Sequence, residues 1–177
     1  ARQLAALGYN VLMVASGEEE LLRSAEEVRQ QSPRVWVRTW TKDLATPTAA
    51  EELFAYTEGE GIKVDVLVNN AGIFSFCDIL STPVERIERV IYLHDLTTTK
   101  TCRLYAEDMI GRGGGRILNM SSYSIWMPYP GLSLYSASKA YLKSFSVAFS
   151  KEVEERGVTV TAICPAGIAT DLYGLSP

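Results

Sequence analysis

Short apolar runs rich in β-branched residues alternate along this chain with longer stretches of helical spacing, and that alternation restricts the fold more than any other feature. Tyr9 to Ala15, Val35 to Thr39, Val64 to Asn69, Arg116 to Met120 and Val158 to Ile163 read as buried strands. Between them, Glu18 to Gln31 places Leu21, Leu22, Ala25 and Val28 on one helical stripe, with Glu18, Glu19 and Glu20 in the first turn, where the helix dipole favours them. Thr46-Pro47 predicts a helix start, Thr82-Pro83 another that runs to about Ile110, and Ser133 to Glu155 a long helix. Arg2 to Leu7 reads as the end of a helix closed by Gly8. Strands alternating with helices of this length imply βαβ units with right-handed crossovers and a parallel sheet.

The chain of 177 residues suits a single domain, expected over 1–177, and no repeat or linker divides it. Gly111 to Gly115 is a loop leading into a strand. A net charge of −4 supplies no basic field for nucleic acid or an anionic membrane. No apolar run reaches the roughly 18 residues of a membrane span, and residues 4–15 lack the cleavage site of a signal peptide. Cys77, Cys102 and Cys164 form no disulfide framework, so a reducing, cytoplasmic location is expected. Together with the one histidine, His94, they lack the spacing of a metal site, and none is expected.

Chemistry concentrates at the ends of the predicted strands. Tyr135 and Lys139 are four residues apart on the long helix and so share a face. An ammonium there favours phenolate over phenol, whose ordinary pKa is about 10, and fits the tyrosine for proton exchange with an alcohol or carbonyl oxygen near neutral pH. Alone, this pair would read as an exposed surface pair. Asn69-Asn70-Ala71-Gly72 follows one strand, Ser121-Ser122 the next, and Cys164-Pro165-Ala166-Gly167, with Thr170 beyond, the last. Open α/β sheets bind ligands at that carboxyl edge. Tyr135 and Ser122 would supply hydroxyl donors to a developing oxyanion, and the small residues Ala71, Gly72 and Gly167 would admit a cofactor close to the backbone.

These segments, in this order and spacing, resemble the short-chain dehydrogenase/reductase family from about residue 1 to the end. The resemblance implies an α/β fold with a doubly wound parallel sheet (a Rossmann fold) and hydride transfer between NAD(P)(H) and a carbonyl/alcohol substrate. It implies Tyr135 as proton donor or acceptor, Lys139 on the nicotinamide ribose and Ser122 on the substrate oxygen. Asn70, Ala71, Gly72 and Asp43 would line the adenosine side, and Pro165, Gly167 and Thr170 the carboxamide. Two other readings stay open: an extended-type nucleotide-sugar epimerase or dehydratase, and a non-catalytic cofactor-binding protein.

The sequence departs from the family pattern in three places. The glycine-rich TGxxxGxG phosphate loop and the first strand are missing, so the chain is expected to be a fragment or the ordered part of a longer protein, with a gap in its sheet. Counting along Arg89 to His94, His94 stands where the family often has a relay asparagine, so His94 is either a proton relay or a packed histidine. The acid that would bind a ribose 2′-hydroxyl is replaced by Ala15 and Ser16; NADP is the expected cofactor, with Ser16 a donor to its phosphate, and NAD the alternative. Tyr123, Trp126, Met127, Tyr129 and Leu132 suggest a lipophilic or bulky substrate, or else core or subunit packing. Tyr141, Phe145 and Phe149 fit a homodimer or homotetramer, or burial in the monomer core.

Overall fold

A computed structural model describes residues 1–166 of the chain, which fall into two compact units, 1–44 and 45 onward. The first holds α1 (Arg2–Ala6), β1 (Val11–Ala15), α2 (Glu18–Gln31) and β2 (Val37–Thr41). Gly8 closes α1 with a φ of +91°. The Tyr9 N–H reaches the Leu4 carbonyl and the Gly8 N–H the Ala5 carbonyl, the paired bonds that a glycine-ended helix makes. β1 and β2 run parallel, Val11 opposite Val37. Ala5, Val11, Ala25, Val28 and Val37 make the core between helices and strands. The second strand begins two residues later than its sequence predicts. Register decides this: the Asn10 side chain takes the Trp36 N–H at 3.0 Å, and the Arg29 guanidinium takes the Val37 carbonyl.

The second unit holds α3 (Ala49–Gly59), β3 (Val66–Asn69), α4 (Val84–Ile91), a π-helical turn (Tyr92–Thr97), α5 (Thr98–Gly111), β4 (Gly115–Met120), α6 (Ser133–Val153) and β5 (Val158–Ile163). β3, β4 and β5 form a parallel sheet in that order. Tyr105, Met109, Ile117, Leu142 and Val158 are buried within this unit. The Tyr105 hydroxyl is satisfied by Thr57 at 2.9 Å and by the Leu53 carbonyl. α3 starts at Ala49 rather than at Pro47, with the Thr48 hydroxyl donating to Glu52 instead of capping backbone.

Alternating strands and helices thus give an α/β fold with parallel sheets, as the pattern predicts. β1–β2 and β3–β4–β5 are hydrogen-bonded as separate sheets. No described strand joins the two sheets by hydrogen bonds. No described helix is long and apolar enough to cross a membrane.

The entry to β4 is set by close backbone approach. Gly114 has a φ of +138°, and a side-chain carbon there would lie 2.5 Å from the Gly157 carbonyl oxygen. Gly114→Ala in the full-length protein is therefore expected to destabilise it by about 2 kcal/mol or more. The check is a lower urea midpoint at unchanged slope.

Candidate active site

Lys139 lies on the inner face of α6 and is 3 % exposed. Its ammonium donates to the Met120 carbonyl at the end of β4, at 2.9 Å. The reverse tie comes from Ser121, whose hydroxyl donates to the Lys139 carbonyl at 2.6 Å. These two bonds clamp the end of β4 onto α6. Ser122, buried, follows the clamp at once, and its Oγ accepts the Ser124 N–H, starting the short 3₁₀ turn Tyr123–Trp126. The Tyr123 N–H in turn bonds the Pro165 carbonyl at 2.8 Å, which ties the segment after β4 to the one after β5.

Tyr135 is 4 % exposed, one helical turn before Lys139, whose Nζ stands 5.7 Å from its ring centroid. The shared face expected from the spacing is present, but it points inward rather than to solvent. Phe74 packs edge-on against the Tyr135 ring at 5.1 Å, and His94 does so at 6.0 Å. Gly72 sits beside them: a side-chain carbon there would lie 3.3 Å from His94 Nε2 and 3.5 Å from Lys139 Nζ. Gly72 thus lets His94 and Lys139 pack closely against the backbone after β3.

Electrostatics follow from burial. Lys139 is pushed down to about 8, because burial disfavours its charge, while Asp95 pulls it back up. Burial pushes Asp95 up to about 6, against the pull of Lys139, and its Oδ1 is buried without a hydrogen-bond partner. His94 is pushed down to about 3, first by burial and then by Lys139, so its ring is neutral at working pH. Cys102 is raised by burial to about 11 and is an inert thiol.

The structure therefore brings Gly72, His94, Tyr135 and Lys139 together, with Ser122 next to the clamp. Asn70 and Ala71 are exposed just after β3, and Pro165 is half-buried after β5. Ser16 is exposed after β1 and Asp43 half-buried after β2, both in the first unit. Gly167 and Thr170 lie outside the described residues. Both His94 ring nitrogens are bonded to protein, Nε2 accepting the Ile73 N–H at 3.0 Å and Nδ1 meeting Ser138 Oγ at 2.8 Å, which leaves neither to hold a relay water.

Sequence reasoning passed over several positioning residues. Asn119, fully buried in β4, accepts from Asn69 at 2.8 Å and donates to Ser146 at 2.9 Å, and Thr101 donates to Asn69 Oδ1. A polar residue inside the apolar strand Ile117 to Met120 was the available signal. Ser138 lay inside the Tyr135-to-Lys139 motif, and Asp95 beside His94.

A nicotinamide cofactor fits this chemistry on one observation. The Lys139 ammonium has three donors and is buried, yet Met120 is its one hydrogen-bond acceptor among the described residues. A diol such as ribose would take the remaining donors. No group of three or more His, Cys, Asp or Glu among the described residues is placed to hold a metal.

The fold and site define a parallel α/β scaffold with its polar groups gathered at the carboxyl ends of β3 and β4. The short chain dehydrogenase family model matches residues 1–175, and the chain belongs to that family. It is 31% identical over 166 residues to a very-long-chain 3-oxoacyl-CoA reductase of Pyrenophora tritici-repentis, covering 92% of this chain and 49% of that protein. It is 31% identical over 175 residues to the 17-beta-hydroxysteroid dehydrogenase type 3 of Mus musculus, covering 96% and 55%. A short-chain dehydrogenase from Sphingobium yanoikuyae in complex with NADPH superposes with a TM-score of 0.90 at 28% identity, over 98% of this chain and 67% of that one. The chain spans about half the length of the curated relatives it matches.

The pH dependence of stability follows from buried His94 and half-buried Asp95, both of which feel the Lys139 charge. His94 titrates at about 3 folded and 6.5 unfolded, so its contribution is intact above 6.5 and is lost as pH falls toward 3, by about 1.4 kcal/mol per pH unit. Asp95 works the other way, its contribution being present below 3.8 and lost as pH rises through about 6. His94→Gln should therefore gain stability relative to the parent as pH drops from 6.5 to 4. Urea unfolding at both pH values checks this; a constant gap between the two proteins would refute it.

Proposed function

We propose that this chain carries the proton-transfer machinery of an NAD(P)(H)-dependent carbonyl reductase or alcohol dehydrogenase. The observation that carries the reading is the buried Lys139 ammonium, held beside the Tyr135 ring with donors unclaimed. The bound cofactor would supply the hydride. Tyr135 gives its phenolic proton to the substrate oxygen as negative charge develops there, and regains it in the reverse direction. Lys139 stabilises the phenolate left behind and holds the ribose hydroxyls. Ser122 donates a second hydrogen bond to the same oxygen. Asn70, Ala71 and Gly72 would border the adenosine side and Pro165 the carboxamide; Asp43, Gly167 and Thr170 keep only the roles that the family resemblance implies.

NADP(H) is the proposed preference. β1 ends at Ala15 and Ser16 follows, without the acidic residue that would bind a ribose 2′-hydroxyl, and Ser16 is exposed to donate to a 2′-phosphate.

The proposed substrate is a lipophilic or bulky carbonyl compound. An open cavity of about 500 Å³ is bordered by Phe74, Phe76, Cys77, Pro83 and Arg86, and Phe74 is the residue packed on the Tyr135 ring. Phe76 stacks on Tyr129 at 6.5 Å, both more than half exposed, with Trp126 and Met127 also exposed nearby in sequence. The relatives named for 3-oxoacyl-CoA and hydroxysteroid substrates support the same class.

The test is oxidation of NADPH and NADH by the full-length protein with 3-oxoacyl thioesters, ketosteroids and small ketones. Turnover with NADPH and a lipophilic ketone is expected. Tyr135→Phe should lower kcat by about 10²-fold or more while the cofactor still binds. Cofactor binding without turnover on any substrate would favour a non-catalytic cofactor-binding protein.

A further inference from the structure

The helical run from Val84 to Gly111 is interrupted by the π-helical turn Tyr92–Thr97, in which Leu93, His94 and Thr97 are buried. His94 is 1 % exposed. Its Nε2 accepts the Ile73 N–H at 3.0 Å, and that bond assigns the tautomer, since a backbone N–H can only donate. The ring proton is then on Nδ1 and is donated to Ser138 Oγ at 2.8 Å. Ser138 passes its own hydroxyl proton to the Tyr135 carbonyl at 2.9 Å. The result is one directional chain of hydrogen bonds, from the backbone after Gly72, through the π turn, to the backbone of Tyr135.

We infer that His94 is a positioning residue, a latch locked in one tautomer that fixes the Gly72–Ile73 segment against the first turns of α6 and so sets Tyr135 and Lys139 relative to the segment after β3. The inference rests on the functional reading above for its kinetic consequences, but not for its geometry. Three features agree with it. Both ring nitrogens are used, so the ring has no atom left to carry a proton elsewhere. The ring is held neutral by burial and by the Lys139 charge, and a second ring proton would cost it the Ile73 bond. The glycine at 72 admits the close packing of His94 against this segment, since a methyl group there would lie 3.3 Å from His94 Nε2.

A relay and a latch differ in what they do to protons. A latch keeps its Nδ1 proton, whereas a relay must exchange it during turnover. A latch also depends on Ser138, which points back to the helix backbone rather than toward a substrate.

The experiment has two arms on the full-length protein. Nitrogen-15 NMR of the His94 ring, assigned through its sequential backbone correlations, should show a protonated Nδ1 and an unprotonated Nε2, unchanged from pH 5 to 9. A ring that titrates in that range, or that carries its proton on Nε2, overturns the latch. This arm needs no variant and no turnover, so it stands even if the protein reduces none of the carbonyls tried. In the second arm, Ser138→Ala and His94→Ala are each expected to lower kcat/KM about tenfold, and the double variant no more than His94→Ala alone. His94→Gln, which offers one acceptor and one donor, should recover part of the loss with an unchanged pH profile. Additive losses, or an acidic limb of the pH profile that disappears with His94, overturn the proposal.

Discussion

A positive charge buried at the end of a parallel sheet is the constraint on which the site depends. Lys139 is 3 % exposed and titrates at about 8 instead of 10.5, so keeping it charged at neutral pH costs about 3 kcal/mol. That is a large share of the 5–15 kcal/mol that holds a typical domain together. The compensation is assembled from separate segments. Met120 at the end of β4 accepts a hydrogen bond, Asp95 on the π turn supplies opposite charge, and the Tyr135 ring presents its face. A charge under this much restraint has its position set closely, which is what a proton-transfer partner requires.

Around the ammonium, hydrogen bonds join elements that sequence separates widely. Ser121 reaches Lys139, Asn69 reaches Asn119, Asn119 reaches Ser146, and Tyr123 reaches Pro165. Each starts from the last two residues of a strand or from the segment that follows it, and all but the Tyr123 N–H are side-chain donors, which supply ties that the sheet's own backbone ladder does not. The segments after β3, β4 and β5 thus leave the sheet from fixed points. The large apolar residues further along, Phe76, Trp126, Met127 and Tyr129, are exposed. Rigid chemistry beside variable apolar surface is the usual division between reaction and substrate choice.

Much of the fold was legible because parallel strands flanked by helices leave a strong period. Glu18–Gln31 and Val158–Ile163 have the boundaries their patterns predict, and the helix beginning after Pro83 runs to Gly111. The departures are local. β2 slips by two residues because pairing with β1 and the Asn10 bond choose its register, which apolar content alone leaves open. α3 starts at Ala49 because Thr48, not Thr46, takes the cap position, and the Thr46 hydroxyl stays buried without a partner. The π turn at Tyr92–Thr97 has no signature in periodicity, since one widened turn barely disturbs a long amphipathic pattern.

By itself the sequence determined the class of fold, the strand edge where chemistry would gather, and the pairing of Tyr135 with Lys139, because these depend on short-range spacing and on motifs only a few residues long. Tertiary structure alone decided that this pair faces inward, that Asp95 and the Met120 carbonyl are what restrain the ammonium, and that His94 spends both nitrogens on Ile73 and Ser138. The physical reason is the same in each case. Burial, dielectric and hydrogen-bond direction arise from groups distant in the chain, and spacing along one segment carries no record of which distant group will complete it.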